Sequence, residues 1–148
     1  NYNLVFTSAN SDLEGEKINK ILKKFIKKNK KTYFFESLGR KQYISLMKYS
    51  NLVVGNSSSG ITEAPSLKVI SINVGDRQKG RLSAKSVINC ACETLLIKNK
   101  IKKYISKKLN LNDFKNPYEK KDSVKSVIKT LNKFLKKKVN LSKKFYDL

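Results

Sequence analysis

The thirty residues from Leu52 to Arg81, LVVGNSSSGITEAPSLKVISINVGDRQKGR, constrain this chain more than any other stretch. The apolar Leu52-Val53-Val54 reads as a strand and Gly55-Asn56-Ser57-Ser58-Ser59-Gly60 as a hydroxyl-rich turn, with a helix expected immediately after it. Val69 to Asn73 reads as a second strand, opening into a loop that carries Asp76, Arg77, Lys79 and Arg81. A strand, a turn of small residues and a helix N-terminus present N–H groups without intrahelical partners to an incoming anion. The helix dipole adds partial positive charge at the same spot. Serine hydroxyls supply further donors, and Arg77 or Arg81 supply guanidinium forks from the next loop. The arrangement points to a diphosphate site.

Ser, Asn and Gly are also what any helix N-cap prefers, and Glu63 at this position can simply complement the dipole. Three features weigh against capping alone. The three serines exceed what a cap needs. Glu63 falls one turn inside the expected helix, where a carboxylate can take two ribose hydroxyls. The three arginines of the chain, Arg40, Arg77 and Arg81, stand against 30 lysines, and each lies beside an expected strand end.

At 148 residues the chain has the length of one domain, and with 39% hydrophobic and 9% aromatic residues it carries enough apolar side chains for a core. No apolar run approaches the ~20 residues of a membrane helix, so no membrane role is expected. The opening Asn1-Tyr2-Asn3-Leu4 is not a signal peptide and lacks an initiator Met, which suits a processed product or a fragment.

The formal charge of +22 invites a nucleic-acid partner, but its distribution argues otherwise. Residues 1–49 carry +7, residues 50–97 only +2 and residues 98–148 carry +13. The excess is lysine spread over polar helix faces, without the aromatic alternation of a stacking platform. A solvated basic surface is expected, with no specific nucleic acid. Cys90 and Cys92 form a C-x-C in a chain with no histidine. A zinc site needs about four ligands, so no metal is expected and the two cysteines read as reduced, partly buried thiols of a cytoplasmic protein.

Along the chain, Asn3 to Ser8 reads as a strand, followed by a capping-box spacing at Ser11 and Glu14. Ile18, Ile21, Leu22, Phe25 and Ile26 mark an amphipathic helix, Thr32 to Glu36 a strand, and Tyr43, Ile44 and Met47 a short helix. Ser86 to Cys90 is a further strand. Beyond Leu95 the pattern turns helical, with one apolar face at Ile97, Ile101, Tyr104 and Ile105, a break at Asn116-Pro117-Tyr118, and another face at Val124, Val127, Ile128, Leu131 and Leu135. Alternating strands and helices imply an α/β fold, a Rossmann-like parallel sheet with flanking helices. In such sheets ligands sit at the carboxyl ends of the strands, where Asn10, Ser37–Arg40, Asn56–Gly60 and Gly75–Arg81 would converge. No internal repeat or linker divides the chain.

The motif from Gly55 to Pro65, followed by Gly75-Asp76-Arg77-Gln78-Lys79-Gly80-Arg81, resembles the UDP-N-acetylglucosamine 2-epimerase family, closest to its hydrolysing branch, which makes N-acetylmannosamine and UDP. The likeness extends over residues 3–147, including Asn10-Ser11-Asp12, Ser37-Leu38-Gly39, Asn116-Pro117-Tyr118 and Lys144-Phe145-Tyr146-Asp147. It implies a GT-B architecture, two Rossmann-like domains around a cleft, of which residues 1–148 resemble most of the second. It further implies that Ser57 and Ser58 hold the diphosphate, Glu63 the ribose hydroxyls, and that Arg77 reaches the nucleotide. Leu38 meets the uracil edge through its backbone and Asn10 lines the cleft, while Ser59, Gly60 and Arg81 belong to the same motif.

The family's acid/base carboxylates lie in the other domain, and its histidine after the first strand of the second domain has no counterpart here. The resemblance therefore implies a UDP-binding portion that lacks a central strand, assigns no catalytic residue to itself, uses no cofactor and is inactive alone, the full-length enzyme being a homo-oligomer. An incomplete domain of this kind would leave some apolar helix surface uncovered. The same fold also carries glycosyltransferases that use UDP-sugars. A basic nucleic-acid-binding domain is the remaining alternative.

Overall fold

A computed structural model describes residues 2–9 and 13–136 of the chain. Leu4–Thr7 forms β1 and Thr32–Phe35 forms β2, joined by α1, Leu13–Lys28, in a parallel unit whose register pairs Leu4 with Thr32 and Thr7 with Phe35. Two residue types explain α1. Glu14 and Glu16 sit in the first turn and Lys27 and Lys28 in the last, each complementing the helix dipole. From the apolar stripe the Phe25 ring meets Phe6 of β1 edge-on, with centroids 6.0 Å apart, while Ile18 and Ile21 stay exposed.

Helix α2, Gly39–Lys48, leads into β3, Val53–Gly55. A single turn of helix, α3 at Ser59–Thr62, and a run of turns then lead to β4, Ser71–Val74, and on to β5, Val87–Cys90. These three strands form a second parallel sheet in the order β3-β4-β5. Its middle strand is the most buried element, with Ser71, Ile72 and Asn73 all inside and Ile72 only 1% exposed. A strand buried on both faces is expected to be continuously apolar or to pair its polar groups. Here Ser71 donates to the Gly60 carbonyl, and Asn73 Nδ2 donates to Asn89 Oδ1 on β5 at 2.9 Å.

Two clusters make the core of this half. Met47, Ala64 and Val69 pack with Tyr43, Val53 and Leu67, clamping α2 against β3. Ile61, Ala84 and Val87 pack under α3. α4, Thr94–Tyr104, lies along β4 and β5. A 3-10 turn at Leu111–Phe114 follows, with Phe114 buried and the Asp113 carbonyl accepting from Ser86 N. α5, Ser123–Leu135, has no buried residue.

The α/β reading therefore holds, with parallel strands and flanking helices, but the strands form two sheets in place of one. No ladder joins the two sheets among the described residues. A second correction concerns the element after Gly60. Where the sequence predicts a helix with a dipole, α3 is four residues long and Glu63 caps it. Four aligned peptides make little of a macrodipole, so electrostatic attraction at this turn has to come from individual donors. Asn10, the Ser11–Glu14 capping box and the Lys144–Asp147 motif involve residues outside those described.

Candidate anion-binding site at the strand ends

The Asn56–Gly60 turn follows β3 directly and is held from three sides. Gln78, buried on the loop after β4, donates from Nε2 to the Asn56 carbonyl at 2.8 Å, joining the two loops that carry the serines and arginines. Asn116, also buried, donates from Nδ2 to the Thr62 carbonyl and to Ser66 Oγ, each at 2.7 Å, pinning the end of α3. Tyr43 of α2 reaches the turn through its hydroxyl, 2.6 Å from Ser59 Oγ.

The hydroxyls around Ser59 form a directed chain. Ser59 Oγ donates to Ser57 Oγ at 3.2 Å, and Ser59 N points at the same oxygen at 3.4 Å. A hydroxyl has one proton, so with Ser59 donating to Ser57, Tyr43 donates to Ser59. The proton of Ser57 is left to turn outward, at the head of a chain whose dipoles reinforce one another. Ser58 occupies the N-cap position but makes no side-chain cap hydrogen bond. The capping explanation for these serines therefore fails at Ser58, whose hydroxyl has no partner among the described residues. The N–H groups of Ser57 and Ser58 are likewise without partners there, whereas those of Gly60, Ile61 and Thr62 bond back to Ser57 and Ser58 carbonyls. The turn thus presents two hydroxyls and two amides to solvent, all of them donors.

Arg77 and Arg81 are exposed, and neither enters an ion pair among the described residues, where the ion pairs are Lys17–Glu14, Lys23–Glu36 and Lys125–Asp122. Both guanidinium groups are free for an anion. Glu63 is half-buried behind the turn, as the residue that ends α3. Leu38 is half-buried at the N-cap of α2, with Gly39 after it at φ +62°, a left-handed conformation that glycine adopts without strain. Among the described residues no group of three or more His, Cys, Asp or Glu side chains could hold a metal ion. Cys90 is buried, Cys92 is exposed and both are free thiols.

Of the residues singled out in the sequence, Ser57, Ser58, Ser59 and Gly60 form the turn itself, and Gln78 ties the loop bearing Arg77 and Arg81 to it. Sequence reasoning missed Tyr43, Gln78 and Asn116 as supports. Tyr43 falls on the apolar stripe of its helix, and no periodicity signals a partner sixteen positions on. Gln78 was visible only as a member of the Asp76–Arg81 motif.

Comparison with known proteins decides the ancestry of this arrangement. The family model for UDP-N-acetylglucosamine 2-epimerase matches residues 1–132. The chain belongs to the UDP-N-acetylglucosamine 2-epimerase family. This family is of GT-B type, which agrees with the parallel α/β architecture. The chain is 36% identical to polysialic acid biosynthesis protein P7 of Escherichia coli, across 99% of its own length and 38% of the relative. It is 33% identical to UDP-N-acetylglucosamine 2-epimerase of Neisseria meningitidis over the same shares. It is 49% identical to GDP/UDP-N,N'-diacetylbacillosamine 2-epimerase (hydrolyzing) of Campylobacter jejuni over 60% of the chain and 23% of that protein. This member of the 2-epimerase family thus spans well under half the length of the curated relatives it matches. Among its described residues no helix is long and apolar enough to cross a membrane.

Proposed function

We propose that this chain is the nucleotide-holding portion of a UDP-N-acetylglucosamine 2-epimerase of the hydrolysing type, which releases UDP and N-acetylmannosamine. The observation that carries the reading is the unpartnered donor set of Ser57 and Ser58, clamped by Gln78 to the loop of Arg77. In this reading the diphosphate lies on Ser57, Ser58, Ser59 and Gly60, with Arg77 and Arg81 closing over it. Glu63 takes the ribose hydroxyls, and the backbone at Leu38 meets the uracil. The names of the relatives support the reaction class, and the diacetylbacillosamine epimerases favour hydrolysis.

The chemistry divides cleanly. A base removes the C2 proton of the sugar, the C1–O bond breaks, and its electron pair leaves on the β-phosphate oxygen of UDP. Water then adds across the resulting glycal, its hydroxyl going to C1 and a proton to the opposite face of C2. Charge develops on the departing phosphate, where fixed donors are most effective. That is the role proposed for Ser57, Ser58 and Arg77. The proton transfers need positioned acids and bases. Glu63 and Asp76, the acids on these loops, are not given that work, which falls to residues outside this chain. A strand joining the β1-β2 and β3-β4-β5 sheets is proposed to come from the same source, making residues 1–148 an incomplete second domain. The complete enzyme is read as a cytoplasmic homo-oligomer without a metal, the free thiols at Cys90 and Cys92 suiting a reducing compartment.

Calorimetric titration of UDP into the chain at moderate salt tests the reading, with Ser58→Ala and Glu63→Ala alongside. Saturable binding weakened by both substitutions is expected. A folded chain that ignores UDP, or binds RNA in a salt-sensitive manner in its place, would overturn it.

A further inference from the structure

Every backbone carbonyl of the serine turn already accepts a hydrogen bond. The Asn56 carbonyl takes Gln78 Nε2, and the Ser57 carbonyl takes the Gly60 N–H. The Ser58 carbonyl takes the N–H groups of Ile61 and Thr62, and the Ser59 carbonyl those of Glu63 and Ala64. The Gly60 carbonyl takes the Ser71 hydroxyl. At Ser57 the side-chain oxygen is occupied as well, by Ser59 Oγ at 3.2 Å and Ser59 N at 3.4 Å. A hydroxyl oxygen has two lone pairs and one proton, so Ser57 meets a ligand only as a donor. Ser58 Oγ and the exposed Asn56 side chain are the acceptors that remain on the turn among the described residues.

The state of Ser57 depends on Tyr43. A phenol donates more readily and accepts more weakly than an alcohol, so Tyr43 gives its proton to Ser59, 2.6 Å away. Ser59 in turn directs its own proton to Ser57. The Tyr43 ring packs against the cluster of Met47, Ala64 and Val69, which brings the phenol to the turn in a fixed position. Without that donor the chain can also run the other way, with Ser57 donating to Ser59. Ser57 Oγ then has a lone pair free for a proton on the ligand.

We propose that Tyr43 is a positioning residue which, through Ser59, fixes Ser57 as a donor and makes the turn select a fully ionised phosphate. The inference rests on the nucleotide reading, in which Ser57 meets the departing β-phosphate. Negative charge grows on that group as it leaves, and a donor already aimed at it needs no reorientation. A protonated phosphate oxygen brings a donor to a donor and is rejected at Ser57.

Titrating UDP at about pH 7.5 and about pH 5 reads the selection, because the terminal phosphate takes a proton at about pH 6. UDP-N-acetylglucosamine, whose diphosphate gains no proton over this range, is the reference ligand. Complete exclusion of protonated UDP would lower its affinity about tenfold over the interval. With Ser58 and Asn56 still able to accept, a fall of about fivefold relative to the reference is expected. Tyr43→Phe keeps the ring in its cluster and removes only the hydroxyl, and the fall should shrink to about twofold. Ser59→Ala breaks the same chain one link later, should flatten the profile equally, and keeps the test open if the first variant does not fold. The charged groups on the elements around the turn are Arg40 and Lys41 on α2, Glu63 after α3, and Asp76, Arg77, Lys79 and Arg81 on the next loop. All are unchanged in both variants, so a difference in slope reports the hydroxyl chain. A merely structural role for Tyr43 lowers affinity for both ligands at both pH values and leaves the slope as it was. A slope as steep in the variants as in the unsubstituted chain overturns the positioning role and leaves the UDP reading standing. Failure to bind UDP at either pH overturns both.

Discussion

The two sheets of this protein bury their apolar residues to very different degrees. In β3-β4-β5 the middle strand is enclosed and Ile61, Ile72, Ala84 and Val87 are inside. In the β1-α1-β2 unit Leu4, Ile18, Ile21, Phe25, Tyr33 and Phe35 all remain exposed, Ile21 at 66%. α5 resembles the second case, with Val127, Ile128, Leu131 and Phe134 more than half exposed. Sequence patterning is as strong in the exposed elements as in the buried ones, so patterning alone does not show that a face is covered. Patches of this kind mark surfaces that meet another segment or chain, in keeping with the proposed incomplete domain. The candidate site sits on the more deeply buried half.

The sharpest break of this comparison is a pair of truncations. Ile72→Ala in β4 is expected to lower stability by about 2–5 kcal/mol, whereas Ile21→Ala on α1 should stay within about 0.5 kcal/mol. Urea denaturation of both variants measures the difference, and equal losses would show the β1-α1-β2 unit to be as well packed as the other. A smaller effect is expected at the staple between the 3-10 region and α3. Asn116→Ala strands the Thr62 carbonyl and should cost about 1–3 kcal/mol in the same assay.

Substitutions on the donor turn sharpen the comparison from the functional side. Ser58→Ala should weaken UDP binding about tenfold with the melting temperature unchanged, because the hydroxyl caps nothing. A stability loss without a binding loss would return Ser58 to a structural role. Tyr43→Phe, which removes the first donor of the chain through Ser59 to Ser57, should weaken UDP about two- to fivefold, readable by the same titration. The smallest effect belongs to the exposed unit. Lys23, 2.9 Å from Glu36, holds that carboxyl below its ordinary range through hydrogen bonding and charge. The pair favours the folded state above the ordinary carboxylate pKa and loses its contribution as pH falls through the lowered one. Lys23→Gln should flatten this slope in acid titrations, by an amount that shrinks with salt.

The strands were legible from short apolar runs between turn residues, and the helices α1, α2, α4 and α5 from their 3.6-residue stripes. α3 was not, because Ser59–Thr62 is followed by Pro65 and a positive-φ Lys68, and buried Ala64 and Val69 hold the chain in turns through tertiary contact. The split into two sheets was also hidden, since strand patterns carry no record of which neighbour is present. At the site, residue types pointed to anion binding and the family motif to the positions, both of which stand as proposals. The supports, Tyr43, Gln78 and Asn116, act through partners 16, 22 and 54 residues away, beyond any local pattern.

The central claim is that anion recognition belongs to the turn after β3 and not to the lysine-rich surface. Titrating UDP into isotope-labelled protein while following backbone amide resonances tests it most directly. The account predicts the largest saturable shifts at Ser57, Ser58 and Gly60, with smaller ones at Arg77 and Leu38 and none along α5. Shifts spread over the lysines of α4 and α5, vanishing as salt is raised, would contradict it.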